Sequence, residues 1–215
     1  MTTTRIDGID ITMVDNWNEV TLEQFIDFMK WNEAKPEQFT YSYEELLYSL
    51  ELISIFTSPR VTKEEMDSIK IDSVKTLCDE FIKFSAQAPE FIVKDTVTID
   101  GVQYGFADIN SLPIGEYVSY QTILERSNDR LRSIPDLLSI ICRPSISHKY
   151  DMELKKNIYE LEKFDISKLQ FRRELMLKAP AIELMGNVNF FLTGNQVSID
   201  NSQVSGNLNQ EVTEI

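Results

Sequence analysis

The sequence has only one histidine and two cysteines among its 215 residues. A standard structural zinc site needs several histidine or cysteine ligands at short spacing, and this composition excludes one. Any Ser-His-Asp or Cys-His catalysis would depend on His148 alone, which lies in a predicted loop, and a solvated histidine is the more ordinary interpretation. Cys78 and Cys142 lie in apolar runs, which indicates buried thiols in a reduced cytoplasmic compartment and no disulfide scaffold.

Glycine is also scarce, and the seven glycines form neither a dinucleotide fingerprint (G-x-G-x-x-G) nor a phosphate loop (G-x-x-x-x-G-K-S/T). No segment matches the calcium-binding loop of an EF-hand. Adjacent carboxylates occur at 44–45, 64–65 and 79–80. Neighbours on a helix point about 100° apart, so solvated surface explains these pairs better than acid–base or Mg²⁺ chemistry. We therefore predict a protein that is not an enzyme and has no cofactor and no metal site.

Basic residues are outnumbered, with 21 Lys and Arg against 35 Asp and Glu and a formal net charge of −14. Affinity for a phosphate backbone comes mainly from Lys and Arg, so the chain is predicted to bind no nucleic acid. No apolar run approaches the roughly 18 residues of a membrane span, and the first residues lack the apolar stretch of a signal peptide. Binding to a membrane and secretion by a classical signal are both disfavoured.

The charge is distributed unevenly along the chain. Residues 1–125 hold 9 basic and 23 acidic residues, 126–178 hold 12 and 8, and 179–215 hold none and 4. Complementary patches of this kind favour ordered self-assembly or docking on another protein. A set of solvated helix faces is the alternative interpretation.

Helical signals dominate the pattern. Capping boxes beginning at Thr21, Ser42 and Thr62 each precede apolar residues three and four positions apart, and Asp72 is predicted to cap a longer helix. Later helices are predicted at about 117–124, 128–142, 151–163, 168–178 and 180–192, with a loop at 143–150. The fold class predicted is therefore mainly α (α+β).

The β signal is concentrated at residues 91–109. Asp100-Gly101 fits a two-residue type I′ turn, because that turn needs positive φ at both positions. Apolar residues alternate with polar ones on both sides of the turn, which is typical of half-buried strands. The sequence predicts one antiparallel hairpin here, packed on the helices around it.

Both ends differ from the centre. Residues 1–18 alternate weakly and are predicted to form an extended N-terminal arm or an edge strand, and 19–192 form the helical domain with its inserted hairpin. Residues 193–215 form a polar C-terminal tail that holds no aromatic and no basic residue. Such a composition cannot bury enough apolar surface to order itself alone. Disorder is one interpretation of the tail, and an added strand held by a partner is the other.

Two sets of apolar residues near the C-terminus are candidates for contact with other proteins. Phe190 and Phe191 cannot share one helix face, so one is predicted to join the core and the other to dock a partner. The alternative interpretation is that both belong to the core. The predicted protein-interaction residues are Phe190, Phe191 and Leu192 on the last helix and Val197, Ile199, Val204 and Leu208 in the tail.

The order of several short phrases resembles a family. The phrases are WNEVTLEQF (17–25), LISIFT (52–57), VTIDGVQYGF (97–106), DINSLPIGEY (108–117), IICRP (140–144) and FFL (190–192). Over 17–192 the chain resembles small tailed-phage proteins, common in phages of gut bacteria and including relatives of the crAss-like phages. These are usually described as virion-associated or tail-assembly-chaperone-like, and the long tail of this chain departs from their shorter endings.

The resemblance implies a non-enzymatic structural protein of a tailed bacteriophage virion. It would mediate protein–protein contacts at the portal vertex, neck or tail, with portal, capsid or tail subunits as partners, and would occur as a homo-oligomeric ring or in repeated copies. Its location would be the virion, and the host cytoplasm during assembly. A tail-assembly chaperone absent from the mature virion is the alternative, and an orphan hydrolase centred on His148 is a third interpretation from the enzyme class.

Overall fold

A computed structural model describes residues 1–85, 89–153 and 155–193 of the chain. These residues fall into two compact units, the first ending at Glu90 and the second beginning at Phe91. Helices dominate, with antiparallel β-sheet in each unit, so the predicted mainly α, α+β class is confirmed.

The first unit begins with a hairpin. Strands β1 (Thr2–Ile6) and β2 (Ile9–Met13) pair in antiparallel register with Ile6 opposite Ile9. Asp7 and Gly8 form the turn with φ of 49° and 92°, the left-handed conformation that a two-residue turn requires. The extended backbone predicted for the arm is therefore present, and it is paired with itself. The Asp7 carboxylate accepts a hydrogen bond from the Lys70 backbone N–H at 2.9 Å and ties the turn to the start of a later helix.

Four helices complete the first unit: α1 (Leu22–Glu33), α2 (Ser42–Ile55), α3 (Lys63–Ser68) and α4 (Ile71–Ser85). The predicted capping box of Thr21 is confirmed, with the Thr21 hydroxyl accepting from the Gln24 N–H and the Gln24 side chain accepting from the Thr21 N–H. The box predicted at Ser42 lies elsewhere, because the Glu44 carboxylate accepts from the N–H groups of Thr40 and Tyr41.

The core of the first unit is aromatic. Trp17, Phe28, Phe56 and Phe81 contact one another with ring centroids 4.7 to 6.4 Å apart, mostly in edge or tilted orientations. Fully burying one such side chain contributes roughly 2 kcal/mol. This cluster holds α1, α2 and α4 together on the face away from solvent.

The second unit combines a sheet with four helices. Its strands are β3 (Thr96–Ile99), β4 (Val102–Phe106), β5 (Cys142–Asp151) and β6 (Lys156–Leu161), in sheet order β3-β4-β5-β6. Its helices are α5 (Ile114–Arg126), α6 (Arg130–Ile141), α7 (Leu169–Lys178) and α8 (Ala181–Thr193). The hairpin predicted around Asp100-Gly101 is confirmed, with φ of 48° and 76° in its turn and Ile99 opposite Val102.

The loop predicted at 143–150 and the helix predicted at 151–163 are wrong. β5 continues directly from α6, pairs with β4 through Cys142 to Pro144, and then pairs with β6. Gly105 on β4 makes room for this arrangement, because an added Cβ would lie 2.6 Å from the Leu161 side chain of β6. Long-range strand pairing overrides the local helix propensity of the Met152 to Lys156 segment.

The segment before β3 crosses α8. The Asn187 side chain accepts a hydrogen bond from the Lys94 N–H at 3.2 Å and donates one to the Lys94 carbonyl at 2.9 Å. Lys94 also pairs with Glu183 at 3.0 Å. At Gly186 the backbones approach so closely that an added Cβ would lie 2.2 Å from the Ile92 carbonyl oxygen. Gly186 and Asn187, at consecutive positions of α8, thus hold the segment before β3 against the helix.

Candidate interaction surface

An open groove of about 870 Å³ lies in the second unit, between the first turns of α5 and the segment that joins β6 to α7. We call it the α5 groove. The residues that line it are Pro113, Gly115, Glu116, Ser119, Glu162, Lys163, Phe164, Asp165, Ile166 and Lys168. The groove is open to solvent.

The chain enters α5 through a short 3-10 turn. Asp108 caps that turn by accepting from the Asn110 N–H at 3.0 Å. The Pro113 carbonyl then accepts from the N–H groups of Glu116 and Tyr117, both at 3.0 Å, and so begins the helix. These local bonds fix the wall of the groove on the α5 side.

The first turns of α5 reverse the ordinary pattern of an amphipathic helix. Glu116 is buried together with Tyr120, whereas Ile114 is 78% exposed and Tyr117 and Val118 are also exposed. A carboxylate is almost never fully buried unless it is paired, and an exposed cluster of large apolar residues marks a contact surface. The first turns of α5 therefore present Ile114, Tyr117 and Val118 outward.

A buried arginine compensates the charge of Glu116. The Arg143 guanidinium of β5 lies 3.2 and 3.4 Å from the two carboxylate oxygens, and both side chains are about nine-tenths buried. Removing either partner would leave the other charge in a poorly solvated place, at a cost of several kcal/mol. This pair holds the start of α5 against β5 and so fixes one wall of the groove.

A second buried arginine holds the opposite wall. Arg172 of α7 is 2% exposed and donates to Glu162 at 2.7 Å, and Lys168 contacts the same carboxylate. Hydrogen bonds from Lys168 and then Arg172 hold the pKa of Glu162 below its ordinary value. Its neighbour Phe171 is exposed, so α7 also buries a charge and presents an aromatic ring.

This pair predicts a defined pH dependence. Because the folded pKa of Glu162 is depressed, the stability it contributes is present above the ordinary glutamate pKa of about 4.3 and is lost as pH falls through the lower folded value. We expect the difference in unfolding free energy between wild type and Glu162→Gln to shrink as pH falls from about 6 to about 3. Urea unfolding across that range measures it, and a pH-independent difference would contradict the assignment.

Apolar residues of the segment that faces α5 line the groove. Ile166, in the 3-10 turn Ile166–Lys168, is 71% exposed and lines the groove beside the half-buried Phe164. The Asp165 carboxylate caps this turn by accepting from the Ser167 N–H at 2.9 Å, and bonds from Ser167 lower the pKa of Asp165. Ile166 is therefore displayed on an ordered turn.

The interaction residues predicted from the sequence lie at the end of α8 and in the tail. Phe190, Phe191 and Leu192 lie in the last turns of α8, but their side chains lie outside the described residues. The tail residues Val197, Ile199, Val204 and Leu208 lie outside the described residues as well. Both sets stay predictions.

His148 lies on β5, exposed and opposite Tyr159 of β6, with ring centroids 5.8 Å apart. The neighbouring carboxylate of Glu160 accepts from the Ser147 hydroxyl. His148 is not among the residues that line the α5 groove. This placement of His148 therefore adds no support to the hydrolase interpretation.

Sequence reasoning missed the residues that build the groove. Glu116 falls in a segment interpreted as a turn, and Arg143 and Arg172 count only as part of a basic stretch. One usable signal is the phrase Ile114 to Val118, in which a single carboxylate is surrounded by apolar residues and a glycine. Its partner lies 27 positions further along the chain and leaves no local signal.

Two absences hold for residues 1–85, 89–153 and 155–193. No group of three or more His, Cys, Asp or Glu side chains is placed to hold a metal ion. In the same ranges, no helix has the length and apolar character needed to cross a bilayer.

Comparisons with protein-family models, curated proteins and solved structures return no match for this chain. The likeness to small tailed-phage proteins therefore rests on the sequence phrases alone.

Proposed function

We propose that this chain is a non-enzymatic structural protein of a tailed bacteriophage virion, where it mediates protein–protein contacts at the portal vertex, neck or tail. The observation that carries the contact role is the reversed polarity of α5, of α7 and of the turn before α7, where Ile166 lines the α5 groove. Two charges, on Glu116 and Arg172, are buried in pairs, while Ile114, Ile166 and Phe171 face solvent. The phage setting comes from the sequence resemblance.

The energetics of the groove favour contact with a protein. Apolar surface removed from water contributes about 25 cal/mol per Å², so isolated large apolar side chains on a rigid frame are the usual anchors of an interface. The frame is rigid because two ion pairs and two capped 3-10 turns hold it. Little reorganisation is then needed when a partner docks.

Virions purified from the phage that encodes the chain provide the test. Quantitative mass spectrometry of gradient-purified particles is expected to detect the protein in a fixed ratio to the portal subunit, since a ring component is present in set copy number. A washed, DNA-free lysate fraction serves as the control for contamination.

Absence from the particles would overturn the proposal. If the protein instead co-purifies with an unassembled tail protein, the function is that of a tail-assembly chaperone that leaves before the particle matures. The purified virions and the lysate therefore distinguish a structural virion protein from a tail-assembly chaperone.

A further inference from the structure

We propose that the outer edge of β6 pairs with the same edge of a second copy of this chain. Two β5–β6 hairpins then join across a two-fold axis into one antiparallel sheet, through residues 156–160 of each copy. The inference goes beyond the proposed function, because it concerns a surface outside the α5 groove and names the partner of that surface.

The β5–β6 hairpin extends beyond the four-stranded sheet. β4 pairs only with Cys142–Pro144 at the start of β5, whereas Ser145–Asp151 pair with β6. In this two-stranded part, every residue of β5 is exposed or half-buried, and the large side chains of Ile146 and Tyr150 are 64% and 56% exposed. An isolated two-stranded hairpin is marginally stable in water, and further strands stabilise it. The projecting hairpin therefore gains from an added strand.

The outer edge of β6 is open to such a strand. Within residues 1–85, 89–153 and 155–193, β6 ends the strand order β3-β4-β5-β6 and pairs with β5 alone. Unpaired N–H and C=O groups along a sheet edge are a template for a strand from another chain. A second copy carries the same edge, so one contact satisfies the backbone groups of both.

The backbone hydrogen bonds show which residues face this edge. The Glu162 N–H donates to the Pro144 carbonyl at 2.8 Å, so Leu161 does not exchange backbone bonds with its own partner on β5. The direction of the N–H and C=O groups alternates along an antiparallel strand, and the one register shift places its extra residue on β5. The outward groups of β6 are therefore those of Asn157, Tyr159 and Leu161.

Charge selects the register between the two copies. The outward residue Asn157 can exchange backbone bonds only with an outward residue of the second copy. When that residue is Tyr159, Ile158 lies on the two-fold axis. Lys156 of each copy then stands opposite Glu160 of the other. Opposite charges directly across two strands stabilise their pairing, and the neighbouring registers that also match outward groups place no such pair within β6.

The contact closes on itself. Because the same edge serves both copies, the interface is isologous and produces a dimer, not a filament. Asn157 and Tyr159 exchange two backbone bonds on each side of the axis, about four in all. The two hairpins become a sheet of four strands, which is the number of neighbours that the projecting part of β5 and β6 lacks in a single copy.

Oxidative crosslinking of the full-length chain tests the register. Ile158→Cys places the two thiols at the axis, where directly opposite residues have Cα atoms about 4.5 Å apart, within the range of a disulfide. We expect a dimer on a denaturing gel that a reducing agent separates. Asn157→Cys is the matched control, because its copies lie diagonally, about 7 to 8 Å apart, and should crosslink far less. Wild type controls for Cys78 and Cys142.

Charge reversal tests the same register without a new thiol. Glu160→Lys places two lysines opposite each other on both sides of the axis, and Lys156→Glu places two glutamates there. Each variant is expected to dimerise about fivefold more weakly than wild type, or worse, in sedimentation equilibrium up to about 0.1 mM. The double variant restores opposite charges and is expected to dimerise like wild type. An equimolar mixture of the single variants should form a heterodimer for the same reason.

The double variant also controls for damage to the hairpin, because Glu160 accepts from the Ser147 hydroxyl within one copy. Circular dichroism establishes that each variant folds. A wild type that stays monomeric to about 0.1 mM overturns the proposal. So does a dimer that charge reversal leaves unchanged, a double variant that fails to recover, or equal crosslinking of Asn157→Cys and Ile158→Cys.

The outcome is separable from that of the proposed function. A dimer with these properties, together with absence of the protein from purified virions, overturns the proposed function and leaves the β6 contact standing. A monomeric protein that is present in virions does the reverse.

Discussion

Gly186→Ala is expected to destabilise the second unit by about 2 kcal/mol or more. The added Cβ would lie 2.2 Å from the Ile92 carbonyl oxygen and 2.5 Å from its carbon, and both are backbone atoms that no rotamer change can move aside. Overpacking of this kind costs about 3 kcal/mol at the severe end, and the better helix propensity of alanine returns only about 1 kcal/mol. The loss should appear in urea unfolding followed by far-UV circular dichroism.

Hydrogen exchange locates the same effect. The Lys94 N–H donates to Asn187, so lifting the segment off α8 should increase exchange at Lys94. Tryptophan fluorescence is the wrong probe, because both tryptophans lie in the first unit.

Gly115→Ala is the matched control for Gly186→Ala. Gly115 also lies in a helix, but nothing lies within 4 Å of an added Cβ. The substitution should therefore be neutral or stabilise by up to about 1 kcal/mol. Equal effects at the two glycines would show that the close approach at Ile92 does not limit stability.

Local chemistry in the sequence predicts much of this fold. The capping boxes at Thr21 and Thr62 form as expected, with the Thr62 hydroxyl accepting from the Glu65 N–H and the Glu65 carboxylate accepting from the Thr62 N–H. Asp100-Gly101 makes its turn for the same reason, since side chain, turn and strand pairing all lie within a few residues. Asp7-Gly8 carries the equivalent signal, flanked by alternating isoleucines, whereas the prediction for residues 1–18 is an extended arm or an edge strand with no turn.

Elements that depend on distant partners are where prediction fails. The sequence of 152–155 is rich in helix-forming residues, yet β6 begins at Lys156, because β5 is already aligned on β4. The sequence pattern predicts Pro144 as a helix terminator. It does follow the end of α6, but its carbonyl also accepts a hydrogen bond from the Glu162 N–H across the β5–β6 pair. Local propensity cannot reveal a pairing between residues 18 positions apart.

The α5 groove could not be predicted for a related reason. Periodicity places apolar residues inside, whereas α5 and α7 place Glu116 and Arg172 inside and several apolar residues outside. This inverted arrangement is stable only because each buried charge pairs with an opposite charge from another part of the chain. Such pairs can be identified only when the positions of β5 and of the segment after β6 are known.

Glu116→Leu is expected to cost about 3 to 5 kcal/mol of unfolding free energy, because it leaves the Arg143 guanidinium buried and uncompensated. Arg143→Met should cost a similar amount for the converse reason. The double variant replaces the pair by apolar side chains of comparable volume, and it should lie within about 1 kcal/mol of wild type. Urea unfolding of the four proteins gives a double-mutant cycle, in which these values correspond to a coupling energy of about 5 kcal/mol or more.

The exposed pair Arg5–Asp10 is the matched control for this cycle. Its atoms lie 3.7 Å apart across the β1–β2 hairpin, with side chains 72% and 67% exposed. The same replacements, Arg5→Met and Asp10→Leu, should couple by well under about 1 kcal/mol, since exposed charges remain solvated when a partner is removed. Equal coupling in the two cycles would mean that burial of Glu116 and Arg143 does not set the energy of their pair, and the frame of the α5 groove would then need another source of rigidity.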